Sequence, residues 1–419
     1  MPSGASNQEP LHTDEQQQDH DDTNSLKHET PTLLSKICYA GHVYGLQGFV
    51  SSMVWLRDWK EYLYPPNGGP NIVKTYECRP TLPVRIFFPA SYDQTSPNTL
   101  PTLFTIHGGG FCIGHIRDDD EWNRAFADGQ DVLVVSLNYS KAPQAPFPTA
   151  LHDVEALILA VLDDESLPID RTEHSAKGQG VGRLSRTAVL GFSAGGNLAL
   201  SVTQLPSIRT HANAPAAAMS VYGCLDLSVA PRDKLPNRPF KPKLPPPRGD
   251  SVDALIKLIP TFDWSYIPYG HDLRDPLLSP AHAQREDLPP FVGIVAAELD
   301  VLAHESWRLA CRLSSRREVP DRESNDPAWR VCGRQEISSS RPGKLELDDQ
   351  RFAFEDTRGN DRGGVKWLLV PDVTHGFDNP HIRSLMAAGE VNTIKDAEQK
   401  TTAYVDEMGR WLKRTVWRL

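Results

Sequence analysis

The sequence predicts an α/β fold, with a mostly parallel central sheet covered by helices on both faces. Two observations carry this. Short apolar runs recur along the chain, at Val84–Phe88, Thr102–Ile106, Val132–Leu137, Thr187–Leu190, Ala217–Tyr222, Phe291–Ala297 and Val365–Val370. Helical patterns stand among them, at Ala150–Leu162 and from Ala194 onward. After the last run, Ile394–Leu412 places Ala397, Tyr404, Met408, Trp411 and Leu412 on a helical period. Strands alternating with helices imply crossover connections and hence parallel pairing.

The 419 residues allow two or three domains on length alone, and 39 % apolar content suits a chain that buries a sizeable core. The net charge of −10 argues against a nucleic-acid binder, which needs a basic face. Residues 1–30 hold seven acids and one lysine and read as a disordered acidic tail. Leu33–Tyr64 is apolar and aromatic and reads as one or two helices, stopped by Pro65-Pro66-Asn67-Gly68-Gly69. Its most apolar window, Leu33–Leu56, contains Lys36, His42, Gln47 and three glycines. A bilayer span wants roughly 20 mostly apolar residues, so the expectation is a buried or lid-forming helix and no stable membrane span. The opening residues lack the basic and apolar regions of a secretory signal. Six cysteines without a CxxC pair or ligand spacing fit neither a disulfide scaffold nor a metal site. The expected compartment is cytoplasmic.

Two segments interrupt the alternation. Residues 231–247 contain seven prolines, which exclude a helix or a central strand, and the aromatic group Phe262, Trp264, Tyr266 and Tyr269 follows. Residues 314–364 are rich in Ser, Arg, Asp and Gly and read as a surface insertion.

Gly191-Phe192-Ser193-Ala194-Gly195 is a G-x-S-x-G sequence, entered by a strand and left by a helix rich in small residues. A serine on such a tight turn is lifted clear of the sheet, and the flanking glycines avoid clashes. The following helix N-terminus favours negative charge beside it. Upstream, His107-Gly108-Gly109-Gly110 directly follows an apolar strand, where bare backbone N–H groups can face an oxyanion. His107 reads as the residue that holds this loop, not as a base. A serine needs an imidazole to take its proton and a carboxylate to orient that imidazole. The expected chain order is Ser, acid, His. Asp300 follows the strand Phe291–Ala297, and His375 follows Val365–Val370. Glu298 and Glu305 compete for the acid and His304 and His381 for the base, and all four rank below Asp300 and His375.

These residues resemble the hormone-sensitive-lipase-like branch of the α/β-hydrolases from about Val84 to the C-terminus. The motifs are HGGGF at His107–Phe111, GFSAGG at Gly191–Gly196, AELDVLAHE around Asp300 and THGF around His375. The resemblance implies an α/β-hydrolase fold with a helical cap. Residues 31–70 would supply an N-terminal cap segment, and 71–419 a catalytic domain with a cap insertion at about 228–275 and the surface insertion at about 314–364. It implies Ser193 as nucleophile, His375 as base then acid, and Asp300 as orienting carboxylate. The oxyanion hole would be Gly109, Gly110 and Ala194, with Gly108 a lesser candidate. No metal and no organic cofactor is expected, and the partner would be a small-molecule ester. The chain departs from the family with His304 where an acid is common, and with NYSKAP at Asn138–Pro143 where DYRLAP is more usual. The leading expectation is a serine carboxylesterase acting on a small or medium apolar ester. A lactonase, deacylase or acyltransferase would use the same triad. A non-catalytic receptor on this fold would be expected to lack the histidine that this chain keeps.

Overall fold

The computed structural model describes residues 26–64, 68–171, 184–234, 241, 243–245, 248–250, 252–314, 341–358 and 363–419. Among the described residues nine strands form one sheet: β1 Ile72–Tyr76, β2 Arg79–Phe87, β3 Thr102–Ile106, β4 Leu133–Leu137, β5 Thr187–Phe192, β6 Ala217–Val221, β7 Phe291–Ala297, β8 Ala353–Arg358 and β9 Gly363–Val370. Their order is β1-β2-β4-β3-β5-β6-β7-β9-β8. The six strands from β4 to β9 in that order are joined by parallel pairs, while β1, β2 and β8 attach antiparallel at the edges. Every residue of β3, β4, β5, β6 and β7 is buried. Burial on both faces explains why these strands read as continuous apolar runs and not as alternating ones.

Helices α1 Leu33–Leu63, α2 Asp120–Gln130, α3 Thr149–Leu162 and α4 Ala194–Val202 are followed by the single turns α5 Pro206–Arg209 and α6 Pro231–Lys234. The remainder are α7 Ile259–Tyr266, α8 Ala303–Leu313, α9 Pro380–Met386 and α10 Val391–Trp411. Helices α3 and α4 pack with Phe104, Ile106 and Val135 on one side of the sheet, while α2 and α10 meet Leu103, Val134 and Leu190 on the other. The long helix α1 lies over α7: His42 Nδ1 meets Thr261 Oγ1 at 2.8 Å, and the rings of Tyr39 and Trp264 are 6.0 Å apart. Gln47 Nε2 on the same helix donates to the carbonyls of Cys112 (2.9 Å) and Ala142 (2.8 Å). Among the described residues no helix is long and apolar enough to cross a membrane.

The structure corrects three expectations. The acidic tail is ordered by residue 26: Lys27 pairs antiparallel with Asp272, and the His28 N–H donates to His271 O at 2.9 Å. Residues 1–25 lie outside the described ones. The proline-rich segment does begin with a helical turn, α6, because proline is tolerated at the first helical position. Most of 235–247, and 172–183 in the polar stretch before β5, lie outside the described residues. The surface insertion does not run to 364, since Ala353–Arg358 is strand β8, paired with β9 along its whole length. Phe352 and Phe354 are buried there with Trp307 and Trp367, and this packing recruits the segment to the sheet edge. Residues 315–340 lie outside the described ones.

Candidate active site

Strand β5 delivers Ser193 into a turn that no ordinary side chain adopts freely, with φ 52° and ψ −118°. The flanking glycines make the turn possible. A Cβ on Gly191 would stand 1.9 Å from Gly195 O, and one on Gly195 would stand 2.1 Å from Ile106 O. The Ser193 N–H is used within the sheet, donating to Val221 O at 2.9 Å. Ala194 opens α4, so its N–H has no partner within the helix.

Asp300 and His375 come from loops after β7 and β9, neighbouring parallel strands. Parallel pairing places both loops at the same end of the sheet as Ser193, although 182 residues separate the serine from the histidine. His375 Nε2 lies 2.9 Å from Ser193 Oγ, and its Nδ1 lies 2.6 Å from Asp300 Oδ2. The other oxygen, Asp300 Oδ1, accepts the Leu302 N–H at 3.0 Å. The Asp300 side chain is fully buried and the His375 ring is 13 % exposed, so one face of the imidazole is reachable from outside. Burial lowers the His375 pKa, but the Asp300 charge and hydrogen bond, helped by Asp253 and Asp378, raise it above its ordinary value.

The glycine loop lies against the serine. A Cβ on Gly108 would approach Ser193 Cβ to 3.2 Å, and one on Gly110 would strike the Phe262 ring at 2.3 Å. Gly109 and Gly110 have φ of 114° and 56°, a region open to glycine but costly for other residues. Among the described residues, the N–H groups of Gly109, Gly110 and Ala194 donate to no protein oxygen. His107 steadies the loop: its Nδ1 is 2.7 Å from Gly108 O, and its ring stacks on Tyr139 at 4.4 Å. That bond places the proton on Nδ1. Burial and the neighbouring Lys141, whose Nζ is 3.1 Å from Nε2, hold the His107 pKa well below its ordinary value, so the ring is neutral. Over the loop, Phe111 stacks on Tyr266 at 3.7 Å. Phe262, Tyr266 and Phe147 are buried and form an aromatic wall.

The competing residues are placed elsewhere. Glu298 is bonded to Lys241 and to the Asp372 N–H, and Glu305 to Lys234 and the Leu225 N–H. His304 lies on α8, and the His381 N–H lies in the first turn of α9, donating to Asn379 Oδ1. Several supporting residues gave no signal in the sequence. Tyr222 sets its ring 4.8 Å from that of His375, and Tyr222 and Tyr404 both donate to the buried Asp378 carboxylate. Asp253 Oδ2 accepts the N–H of Val301, next to Asp300, at 3.0 Å. Only proximity in space links these positions. A cavity of about 560 Å³ bounded by Arg209, Arg285, Leu288 and Gly363 lies at the opposite, N-terminal ends of the strands and plays no part in this arrangement. Among the described residues there is no cluster of side chains able to hold a metal ion.

Known proteins resemble this chain in sequence and in fold. Arylacetamide deacetylase of Bos taurus is 33 % identical over 172 residues, covering 41 % of this chain and 39 % of that protein. Carboxylesterase NlhH of Mycobacterium tuberculosis is 30 % identical over 232 residues, covering 54 % of this chain and 63 % of that protein. The chain thus matches about two fifths to two thirds of the length of these relatives. The solved structure of a Pyrobaculum calidifontis esterase superposes with a TM-score of 0.54 at 20 % identity, covering 92 % of this chain and 99 % of that one, a likeness of fold. Residues 103–322, just over half of the chain, match the family described as having the alpha/beta hydrolase fold. With a glycine loop after β3 and a serine turn after β5, the chain belongs to the α/β-hydrolase family, in its hormone-sensitive-lipase-like branch.

Proposed function

We propose that the protein is a serine hydrolase that cleaves a carboxylic ester of a small or medium, apolar substrate through an acyl-enzyme. The observation that carries this is a single imidazole held between the Asp300 carboxylate at 2.6 Å and the Ser193 hydroxyl at 2.9 Å. Neutral His375 takes the Ser193 proton on Nε2 as Oγ attacks the ester carbonyl. The resulting oxyanion is received by the N–H groups of Gly109, Gly110 and Ala194, each such donor being worth about 2.7–4 kcal/mol of barrier. His375 then returns the proton to the leaving alcohol oxygen, and water repeats the sequence to free the acid. Asp300 fixes the ring with Nδ1 protonated and stabilises the imidazolium. Helix α1 and the insertion at about 228–275 act as the cap, and the buried rings of Phe262 and Tyr266 exclude water above the site. The proposed compartment is the cytosol, where Cys38, Cys78, Cys112, Cys224 and Cys311 stand as free thiols.

The test is hydrolysis of short-chain nitrophenyl esters by the wild type and by Ser193→Ala. A loss of several orders of magnitude is expected; equal rates would remove Ser193 from the reaction. Amide deacylation is a second reading, supported by the similarity to a protein named as an arylacetamide deacetylase. It predicts turnover of aryl acetamides by the same serine.

A further inference from the structure

The insertion that overlies the site also reaches beneath it. Lys241, from the proline-rich segment, is only 2 % exposed. Its Nζ lies 2.7 Å from Glu298 Oε2 and 2.6 Å from Asp372 Oδ1. Glu298 is two residues before Asp300, and Asp372 three before His375. A direct bond, Asp372 N–H to Glu298 Oε2 at 2.8 Å, ties the two loops together under the ammonium. The same insertion supplies Arg248, whose Nη1 lies 3.4 Å from Asp372 O and 3.0 Å from Asp396 Oδ2, and Asp253 on the Val301 N–H. From α10, Lys400 donates to Pro371 O at 2.9 Å. Asp372 has φ 55°, a left-handed conformation that Asp and Asn adopt more readily than other non-glycine residues, and its carboxylate is bonded there to Lys241.

We infer that Lys241 is a positioning residue: it binds the loop bearing Asp300 to the loop bearing His375, so that seating of the overlying insertion sets the distance between the acid and the base. The physical reason is charge. Without the ammonium, the two buried carboxylates lose the cation that both bond to; they then repel or share a proton, and either way the lysine's tie between the loops is gone. Burial disfavours the charged lysine, but Glu298 and Asp372 outweigh it and hold its pKa above the ordinary value, while burial also raises that of Glu298. The inference rests on the proposed triad, and its test includes a readout independent of turnover.

The experiment compares wild type, Lys241→Met and Asp372→Asn at a temperature well below unfolding. Three quantities are read: the low-field proton resonance of His375 Nδ1–H, the rate of Ser193 labelling by a fluorophosphonate, and kcat against KM on a nitrophenyl ester. For Lys241→Met the resonance should broaden or vanish, and labelling rate and kcat should fall together by about 10–100-fold, as misplacement of a reacting group does. KM should change less than about threefold, because no substrate contact is removed. Asn keeps the left-handed backbone at 372, so Asp372→Asn folds if Lys241→Met does not, and it should lose about three- to tenfold by the same route. A folded variant that keeps the resonance, the labelling rate and kcat while only its melting temperature falls would reduce Lys241 to a structural ion pair and overturn the inference. A rise in KM at constant kcat would overturn it equally. A wild-type chain that shows the resonance but neither labels nor turns over would refute the hydrolase reading, while the resonance in the variants would still decide the clamp.

Discussion

Replacing Asp300 by asparagine should disable the site without disturbing its shape, and the reason lies in a neighbouring amide. Asp300 Oδ1 accepts the Leu302 N–H at 3.0 Å while Oδ2 faces His375 Nδ1 at 2.6 Å. An asparagine must put its NH2 group in one of these places. Facing Leu302 it would leave a buried donor unsatisfied, which costs about 1–3 kcal/mol. It therefore faces His375, and Nδ1 can then only accept. The ring proton moves to Nε2, so the nitrogen that should take the serine proton already carries one. The same exchange in a serine-protease triad lowers kcat by about 10⁴, equivalent to about 5.4 kcal/mol of barrier. The assay is kcat for a short-chain nitrophenyl ester, normalised to folded protein by circular dichroism. A loss smaller than about tenfold in a folded variant would refute the orienting role of Asp300.

The pH profile follows from the same ring. Activity needs neutral His375, and Asp300 holds its pKa above the ordinary 6.5 against the opposing effect of burial. The acid limb of kcat/KM should therefore lie above pH 6.5 and move to lower pH in Asp300→Asn; a wild-type limb below 6.5 would contradict this. Gly110→Ala must place a side chain at φ 56° and within 2.3 Å of the Phe262 ring. If it displaces one oxyanion donor, kcat should fall by about 10²–10³-fold, and an unchanged kcat in a folded variant would take Gly110 out of the hole. Asn197→Ala removes an Nδ2 that donates at 2.8 Å to both Cys224 O and Leu278 O. Each buried carbonyl left bare costs about 1–3 kcal/mol. Chemical denaturation should show a loss in that range or larger, and a change below about 0.5 kcal/mol would count against those bonds.

The central strands and the meeting of the three candidate residues, Ser193, Asp300 and His375, were legible for the same reason. Strands buried on both faces must be apolar throughout, and in a parallel sheet their C-terminal ends share one edge, so order along the chain becomes adjacency in space. The edge strands obey no such rule. In β1, Ile-Val-Lys-Thr-Tyr has no fully buried residue. In β8, Ala-Phe-Glu-Asp-Thr-Arg carries charge, because an edge strand needs only one covered face. Helix α2 was obscured by its polar outer side, its inward contacts resting on Trp122, Phe126 and Ala127. The supports of the triad are harder still. Lys241, Glu298 and Asp372 lie far apart in sequence, and nothing in a proline-rich stretch marks Lys241 as a buried side chain. Glu298 illustrates the point: it reads as a rival to Asp300, and only its contacts show it turned towards Lys241.

Gln47 links the long N-terminal helix to the loop after β3. Its amide holds the carbonyl of Cys112, and the Cys112 N–H in turn holds the carbonyl of Gly109 at 3.1 Å. Through this side chain the long N-terminal helix is tied to the glycine loop. In the proposed reaction, an ester entering by lifting that helix would release Gln47 and with it a support of the Gly109 turn, so admission and readiness would take turns.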